Sequence, residues 1–376
     1  MTNPSKTNPA DPRHRDHMIT ALSLARRGVG NTWPNPSVGC VLVRDGRVVG
    51  RGWTQPGGRP HAETVALARA GEAAAGATAY VTLEPCNHHG GSPPCTEAFI
   101  KAGIAKVYAA ITDPDERVLG TGIQRLQDAG ITTEIGLEEG AARQINEGFL
   151  ARIQEGRPFI TLKTATTLDG KIATRTGESQ WITGPVAREA GHFLRAENDA
   201  ILVGSGTVAA DDPTLTSRLP GIDNARRPRI VLDSRLRLPH DSNLVKSINE
   251  APLWLATKSD QPDSAISAYE NQGATVIRVG TDDAGLLDLN QVMTELADRG
   301  LTRILVEGGG ILTASLLKMD LVDQIGWFRA PALLGDDGRA AIDALDIAQL
   351  IDMRRFERIE CAEFDGDGLE ILARRR

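Results

Sequence analysis

Along the first half of the chain, the spacing of apolar residues switches between helical periods and short strand-like runs. "MITALSLARRG" (18–28) places apolar residues at helical spacing and stops at a glycine, which predicts a helix. "VGCVLVRDGRVVGRGW" (38–53) is two apolar runs joined by Asp45-Gly46, the signature of a hairpin turn. "AETVALARAGEAAAG" (62–76) predicts an alanine-rich helix ending near Gly76, and "ATAYVTLE" (77–84) a strand. The alternation continues with a helix at "CTEAFIKAG", a strand at "AKVYAAITD", a helix at "GTGIQRLQDAG" and a strand at "ITTEIG". Such a series predicts an α/β sandwich built on a mixed sheet.

At 146–158, "NEGFLARIQEGRP" carries charges, glycines and a proline ahead of a fresh apolar run, and marks a domain boundary. A second series follows. "FITLKTATTLDGKIA" reads as a strand entering a turn, "AREAGHFLRAEND" as a helix, and "AILVGSGTVAADDP" as a strand followed by a glycine-rich turn. "PRIVLDS", "PLWLAT" and "ATVIRVG" read as strands, "DLNQVMTELADRG" as a helix, and "RILVEGGGILTASLLKM" as strand, glycine turn and helix. Strands alternating with helices predict a mostly parallel sheet. The expected organisation is a disordered polar tail over 1–13, one domain over 14–156 and a second over 157–376.

Length agrees, since 376 residues suggest about two domains. A hydrophobic share of 41% and a charged share of 24% are those of a soluble globular chain. The formal net charge of −7 argues against nucleic acid or an anionic membrane as partner, but leaves room for a small anion held by a few arginines. No apolar run approaches the roughly 18–20 residues of a membrane span. "MTNPSKTNPADPRHRDH" lacks the apolar core of a secretory signal, so the chain is expected in the cytoplasm, with His14 and His17 as solvated residues of the tail region. The four cysteines, Cys40, Cys86, Cys95 and Cys361, are then not a disulfide framework.

Two of them lie in chemically suggestive company. His61 and Glu63 form a His-x-Glu, Cys86 follows a proline, and Cys95 follows two. Catalytic zinc takes three protein ligands and keeps one position open. His61, Cys86 and Cys95 would supply a nitrogen and two thiolates, and the thiolates neutralise the ion. Glu63, two residues from His61, can sit nearby without ligating and act as acid and base. Zinc deaminases of nucleobases carry H-x-E followed by P-C-x-x-C. The first two parts stand here, but eight residues separate Cys86 from Cys95. Cys40, in mid-strand, and Cys361, without a neighbouring ligand type, read as ordinary cysteines.

In the second half, "ILVEGGGILTASLLK" (304–318) ends a strand at Glu307 and opens a helix through three glycines. Glycines let backbone approach a ligand closely, and free helix N–H groups suit a diphosphate. The spacing is not that of a Rossmann fingerprint, and a plain strand–helix turn would read the same way. "VGSGTVAADDPTLTSR" (203–218) adds a second turn with the adjacent carboxylates Asp211 and Asp212, which suit ribose hydroxyls or a chain cap.

Taken together, "PNPSVGCVLV", "HAE" and "TLEPCNHHGGSPPC" resemble the deaminase half of the bifunctional riboflavin-biosynthesis deaminase–reductase family. "LKTATTLDGKIA", "GESQWITG", "LRAENDAILVGSGTVAADDPTLTSR", "IVLDS" and "LVEGGG" resemble its reductase half. The resemblance spans nearly the whole chain beyond the tail, in the family's order. It implies a cytidine-deaminase-like α/β sandwich followed by a dihydrofolate-reductase-like α/β domain. In that family the long loop between the two cysteine ligands is normal; Asn87 stands where serine is usual.

What the resemblance implies about function is specific. One zinc ion per chain would be held by His61, Cys86 and Cys95, with Glu63 catalytic. The first reaction would be hydrolytic deamination of 2,5-diamino-6-ribosylamino-4-pyrimidinone 5′-phosphate. The second would be reduction of the ribosyl side chain of the deaminated product to ribityl, with NADPH. Ala165, Trp181, Thr207, Asp211, Ser234, Gly309, Gly310, Ile311, Leu312, Thr313, Ala314 and Ser315 would contact NADP. Ser179, Arg195, Leu215, Arg218 and Glu307 would contact the phosphorylated substrate. Asn35 either faces the substrate or only makes its turn, and His88 and His89 are either substrate contacts or solvated loop residues. Lys163 and Glu307 would flank the hydride-transfer site, where either could help protonate or orient the sugar, or Lys163 only binds it. Ser234-Arg235 suits a ribose 2′-phosphate, whereas Asp233 turned inward would favour NAD.

A nucleoside or tRNA deaminase with an appended domain is the alternative enzyme, but leaves "VEGGG" unexplained. An inactive ligand-sensing module should lack a ligand or Glu63, and neither is lacking. The partners expected are small phosphorylated pyrimidines, with no nucleic acid or membrane. The oligomeric state stays open, a homo-oligomer included.

Overall fold

The computed structural model describes residues 12–89, 93–115 and 118–375. The chain divides into two compact units, with the division after Glu155.

The first unit is a five-stranded sheet in the order β2-β1-β3-β4-β5, with helices packed on it. Its elements are α1 (Pro12–Ala25), β1 (Gly39–Arg44), β2 (Arg47–Trp53), α2 (Ala62–Ala70), β3 (Thr78–Val81), α3 (Cys95–Lys101), β4 (Lys106–Ala109), α4 (Thr121–Asp128), β5 (Thr132–Ile135), α5 (Glu139–Ile145) and α6 (Glu147–Glu155). β1 and β2 form the expected hairpin, with Asp45 and Gly46 both at positive φ. β2, β1 and β3 are antiparallel, whereas β3, β4 and β5 run parallel, so the sheet is mixed. β1 is buried along nearly its whole length because helices cover it, and Val41, Leu42, Tyr80, Val81, Phe99 and Val107 form the centre of the core.

Two expectations about this half need correction. The tail was expected through residue 13, but α1 already includes residues 12 and 13; residues 1–11 lie outside the described residues. His14 and His17 are half-buried rather than solvated. His14 Nδ1 lies 2.6 Å from the Tyr80 hydroxyl, and the His17 ring is 5.0 Å from that of Tyr80. The segment 146–158, within which the division after Glu155 falls, is largely α6, whose Phe149 and Leu150 are buried.

The second unit holds a nine-stranded sheet. Its elements are β6 (Phe159–Thr166), β7 (Lys171–Ala173), α7 (Pro185–Ala196), β8 (Ala200–Gly204), α8 (Ser205–Asp211), β9 (Arg229–Leu232), α9 (Asn243–Lys246), β10 (Leu253–Lys258), α10 (Asp263–Glu270), β11 (Thr275–Val279), α11 (Leu289–Asp298), β12 (Arg303–Val306), α12 (Gly310–Lys318), β13 (Gln324–Arg329), β14 (Arg339–Ala340), β15 (Phe356–Phe364) and β16 (Asp367–Arg374). The order is β11-β10-β9-β8-β12-β6-β13-β16-β15, parallel from β11 through β13 and antiparallel beyond. β14 pairs with β7 in a separate ribbon.

β8 to β11 step outward in one direction, while β12 returns between β8 and β6. The carboxyl ends of β6, β8 and β12 therefore flank a switch in strand order, where α/β sheets open a crevice for ligands. The turn expected after β8 is instead the short helix α8, which places Thr207 and Asp211 on one helix.

Candidate active sites

In the first unit, α2 and α3 bring three soft ligands together. His61 caps α2 in extended conformation, so its ring projects from the helix start while Glu63 lies in the first turn. Cys86 lies beyond the end of β3, and Cys95 opens α3 behind Pro94. His61 Nδ1 lies 3.6 Å from Cys86 Sγ and 3.4 Å from Cys95 Sγ, and the three ligand atoms fall within 4.8 Å of one another. Among the described residues no other group of three such side chains meets this spacing.

The electrostatics divide the cysteines. A hydrogen bond from the Cys95 thiol, with further bonds from the His61 ring and the Cys95 backbone N–H, pulls Cys86 down to about 4 despite its burial. The same thiol–thiolate bond and burial push Cys95 up. Glu63 is only 4% exposed, and burial raises its carboxyl while the His61 charge opposes the rise. One nitrogen, two sulfurs and a carboxylate outside the ligand group fit a catalytic zinc site. Cys95→Ala is expected to abolish zinc retention, measured as metal per chain after dialysis. Full metal content in that variant would remove Cys95 from the ligand set.

Glu84 holds this arrangement and was not singled out in the sequence. Its buried carboxylate accepts the N–H groups of Asp113 (3.2 Å), Gly120 (3.0 Å), Gly122 (2.9 Å) and Ile123 (3.1 Å). It thereby ties the end of β3 to the start of α4. Asn87 continues the brace, donating to Thr121 O at 3.3 Å and accepting from Thr96 Oγ1 at 3.0 Å. Asn35 is half-buried and donates to Gly58 O at 3.2 Å, so part of its amide serves its own loop. His88 keeps a buried Nδ1 without a hydrogen-bond partner among the described residues, whereas exposed His89 pairs with Glu97 at 3.3 Å. The middle of this loop, 90–92, lies outside the described residues.

In the second unit, the switch in strand order carries a charged cluster. Val306 pairs with Leu162, so Glu307 and Lys163 are the next residues along adjacent parallel strands. Arg195, on α7, makes a two-pronged bond to Glu307 at 2.6 and 2.9 Å and donates to Thr216 O at 2.8 Å. It is thus a largely buried partner of Glu307. Burial alone would raise Glu307, but the charge and hydrogen bonds of Arg195, with Lys163 and His192, hold it at about 2. Burial lowers Lys163, and Arg195 adds to that while Glu307 opposes it.

His192 belongs to the same cluster and was missed. It stands three residues before Arg195 on α7, a spacing that shares a helix face and could have found it. Its Nδ1 accepts the Arg218 N–H at 3.4 Å, and burial with the charges of Arg195 and Arg218 lowers it to about 4. The Arg218 side chain is exposed.

The remaining candidates spread along the carboxyl edge of the sheet. Ser179 donates to Asp211 at 3.4 Å. Trp181 is 64% exposed, with the Arg188 guanidinium 4.5 Å from its ring centre. Asp212 is not free for a ligand as a pair with Asp211, because it accepts the Asn243 N–H at 2.8 Å. The Leu215 side chain is 3% exposed and packs with Val208, Val231 and Leu238, which leaves its backbone to face a ligand. Asp233 turns onto its own loop, accepting the N–H groups of Arg237 (2.6 Å) and Leu238 (2.8 Å), while Arg235 is exposed and Ser234 half-buried.

Gly309 caps α12 without a side-chain bond, which leaves first-turn N–H groups open. Gly310 has no room for a side chain, since a Cβ would lie 2.8 Å from Ala340 O. Ile311 is exposed and Leu312 half-buried, whereas Thr313 and Ala314 are buried and Ser315 donates to Ile311 O at 3.0 Å. Ala165, on β6, is half-buried. An open helix start, an exposed arginine and an aspartate turned away fit a phosphorylated dinucleotide.

Comparisons with known proteins agree in both units. Residues 158–368 match the family described as RibD C-terminal domain, and residues 11–111 match the cytidine and deoxycytidylate deaminase zinc-binding region. Riboflavin biosynthesis protein RibD of Escherichia coli (strain K12) is 44% identical over 353 residues, covering 91% of this chain and 94% of that protein. The protein of the same name from Aquifex aeolicus (strain VF5) is 42% identical, covering 86% and 88%. Among solved structures, Acinetobacter baumannii RibD superposes with a TM-score of 0.88 at 36% identity, over 97% of this chain and 99% of that one. A diaminohydroxyphosphoribosylaminopyrimidine deaminase/5-amino-6-(5-phosphoribosylamino)uracil reductase from Thermotoga maritima gives a TM-score of 0.84 at 30% identity, over 97% and 99%.

Proposed function

This chain belongs to the RibD family of bifunctional riboflavin-biosynthesis enzymes, and from that premise we propose how its own residues divide the two reactions. The enzyme deaminates a phosphorylated pyrimidine with zinc and reduces the ribosyl side chain of the product with NADPH. We assign the first reaction to residues 14–156 and the second to 157–376.

In the deaminase, His61, Cys86 and Cys95 would hold the ion; the carrying observation is their clustering beside buried Glu63. Bound zinc supplies Lewis acidity that lowers the pKa of a water. Glu63 takes a proton from the attacking water and delivers it to the leaving amine, from a pocket that excludes bulk solvent. Glu84 keeps Cys86 in register by holding the strand end behind it. Asn35 and His88 line the substrate side, His88 through the ring nitrogen that no group among the described residues satisfies.

In the reductase, NADPH supplies hydride. The α12 start, from Gly309 to Ser315, receives the diphosphate, mainly through backbone N–H groups because Thr313 and Ala314 are buried. Ser234 and Arg235 receive the ribose 2′-phosphate, and Asp233 does not oppose it because its carboxylate is occupied. Ala165, Trp181, Thr207 and Asp211 complete the coenzyme side. Ser179, Arg218 and the backbone of Leu215 hold the phosphorylated substrate. Arg195 acts by fixing Glu307, and Lys163 faces the sugar, its charged form disfavoured by burial.

Among the described residues, no helix is long and apolar enough to cross a membrane. A cytoplasmic setting, no nucleic-acid partner, and an assembly that includes a homo-oligomer are part of the same proposal. The test supplies the diamino substrate with and without NADPH and follows ammonia and NADPH separately. Ammonia should appear in both arms and NADPH should fall only after it. NADPH loss without prior ammonia release would overturn the assigned order.

A further inference from the structure

The motif "TLDGK" (167–171) follows β6, and the reaction as described uses none of its residues. Asp169 is exposed, yet its carboxylate is heavily engaged. It accepts Thr167 Oγ1 at 2.5 Å from its own loop, and Leu334 N at 3.2 Å and Gly335 N at 2.7 Å from the segment after β13. These bonds hold the carboxyl at about 2, so it stays ionised.

That segment, 330–343, is a strap with two anchored ends. At one end Ala330 N bonds Thr166 O (2.8 Å) and Leu168 N bonds Ala332 O (2.8 Å). In the middle Lys171 Nζ bonds Asp336 O at 3.1 Å, and β14 pairs with β7. At the other end Asp343 N bonds Gly310 O at 3.1 Å, and Ala340 O stands against Gly310. The strap thus runs from the loop after β6 to the first residue of α12. Leu168 and Leu333, at the latched end, are 59% and 71% exposed.

We infer that Asp169 is a positioning residue for the coenzyme: it latches the 330–343 strap onto the loop after β6 and so sets the start of α12 at which a dinucleotide phosphate is received. The inference rests on the coenzyme reading above. A carboxylate suits the task because it accepts from both loops at once, and charge-assisted bonds are stronger than neutral ones. Without it, the two N–H groups at Leu334 and Gly335 lose their acceptor, and the strap keeps its backbone pairing, the Lys171 bond and the Arg175–Asp337 ion pair at 3.7 Å.

The experiment measures NADPH dissociation constants by equilibrium titration, together with amide exchange at 334, 335, 341 and 343. Asp169→Ala should weaken NADPH about tenfold or more and speed exchange across the whole strap. Asp169→Asn, which keeps an acceptor oxygen, should fall between it and wild type, and Lys171→Met should weaken binding independently. Faster exchange at 334 and 335 with wild-type NADPH affinity would make the latch merely structural and overturn the inference. Ser234→Glu separates the two readings, since a carboxylate there should repel the 2′-phosphate. If it weakens NADPH while Asp169→Ala does not, the latch alone fails. If neither variant changes affinity, the coenzyme lies elsewhere and the reading beneath it fails too.

Discussion

Replacing Glu63 with glutamine should lower ammonia release by about 10²- to 10⁴-fold while leaving one zinc per chain. Glutamine keeps the shape and one acceptor oxygen but cannot exchange protons. The ligand atoms belong to His61, Cys86 and Cys95, and Glu63 is outside that group. The carboxylate is only 4% exposed, so solvent cannot easily deliver the proton in its place. Metal analysis and ammonia release on the same sample separate the outcomes. A loss of both would mean that Glu63 supports the metal, and a wild-type rate would end its role as acid and base. Supplied with the deaminated intermediate, the variant should consume NADPH at the wild-type rate.

The second large effect is expected at Glu307. Its carboxylate is held at about 2, against an ordinary value of 4.5. A depressed acid stabilises the fold fully above its unfolded value, and that contribution fades as pH falls from about 4.5 toward 2. The contribution is up to about 3 kcal/mol for a shift of this size, and pH-dependent unfolding of the second unit measures it. Glu307→Gln should erase this acid limb, strand the Arg195 guanidinium, and destabilise the unit by about 3–5 kcal/mol, as for other broken buried pairs. Reduction should fall at least about a hundredfold, because Lys163 and Arg195 lose the charge that orders them. The double change Arg195→Met/Glu307→Gln should recover much of the stability, since no buried charge is left alone. Recovery of reduction along with stability would show that the pair serves folding only.

Legibility in the sequence followed how local the cause was. Asp45-Gly46 announced its hairpin because the turn demands positive φ at both residues, and the chain there has little alternative. His61, Glu63, Cys86 and Cys95 were legible because zinc chemistry restricts residue types. The helix at Ser205–Asp211 was hidden behind Gly204 and Gly206, whose weak helix propensity suggested a turn until packing through Val208 overrode it. α6 was hidden by the charges, glycines and proline in its stretch of sequence. The strands β13, β15 and β16 went unread, their pairing being set by distant partners. Leu215 shows a different limit: a position carried over from relatives says nothing about which of its atoms faces a ligand. Glu84 and His192 were invisible as functional residues because their importance lies in what the fold turns toward them.

Glu84 has a consequence for how the metal is acquired. Its four bonds are made to backbone N–H groups of the chain itself, so the place of Cys86 is fixed by folding and not by an ion. Small zinc domains fold only around their metal, and chelators unfold them. Here the ion enters a socket already shaped, and its stabilisation follows mass action, growing with free zinc over the dissociation constant. A chain stripped of zinc is then expected to stay folded and to regain deamination when zinc is returned, which circular dichroism and ammonia release on the same sample would check.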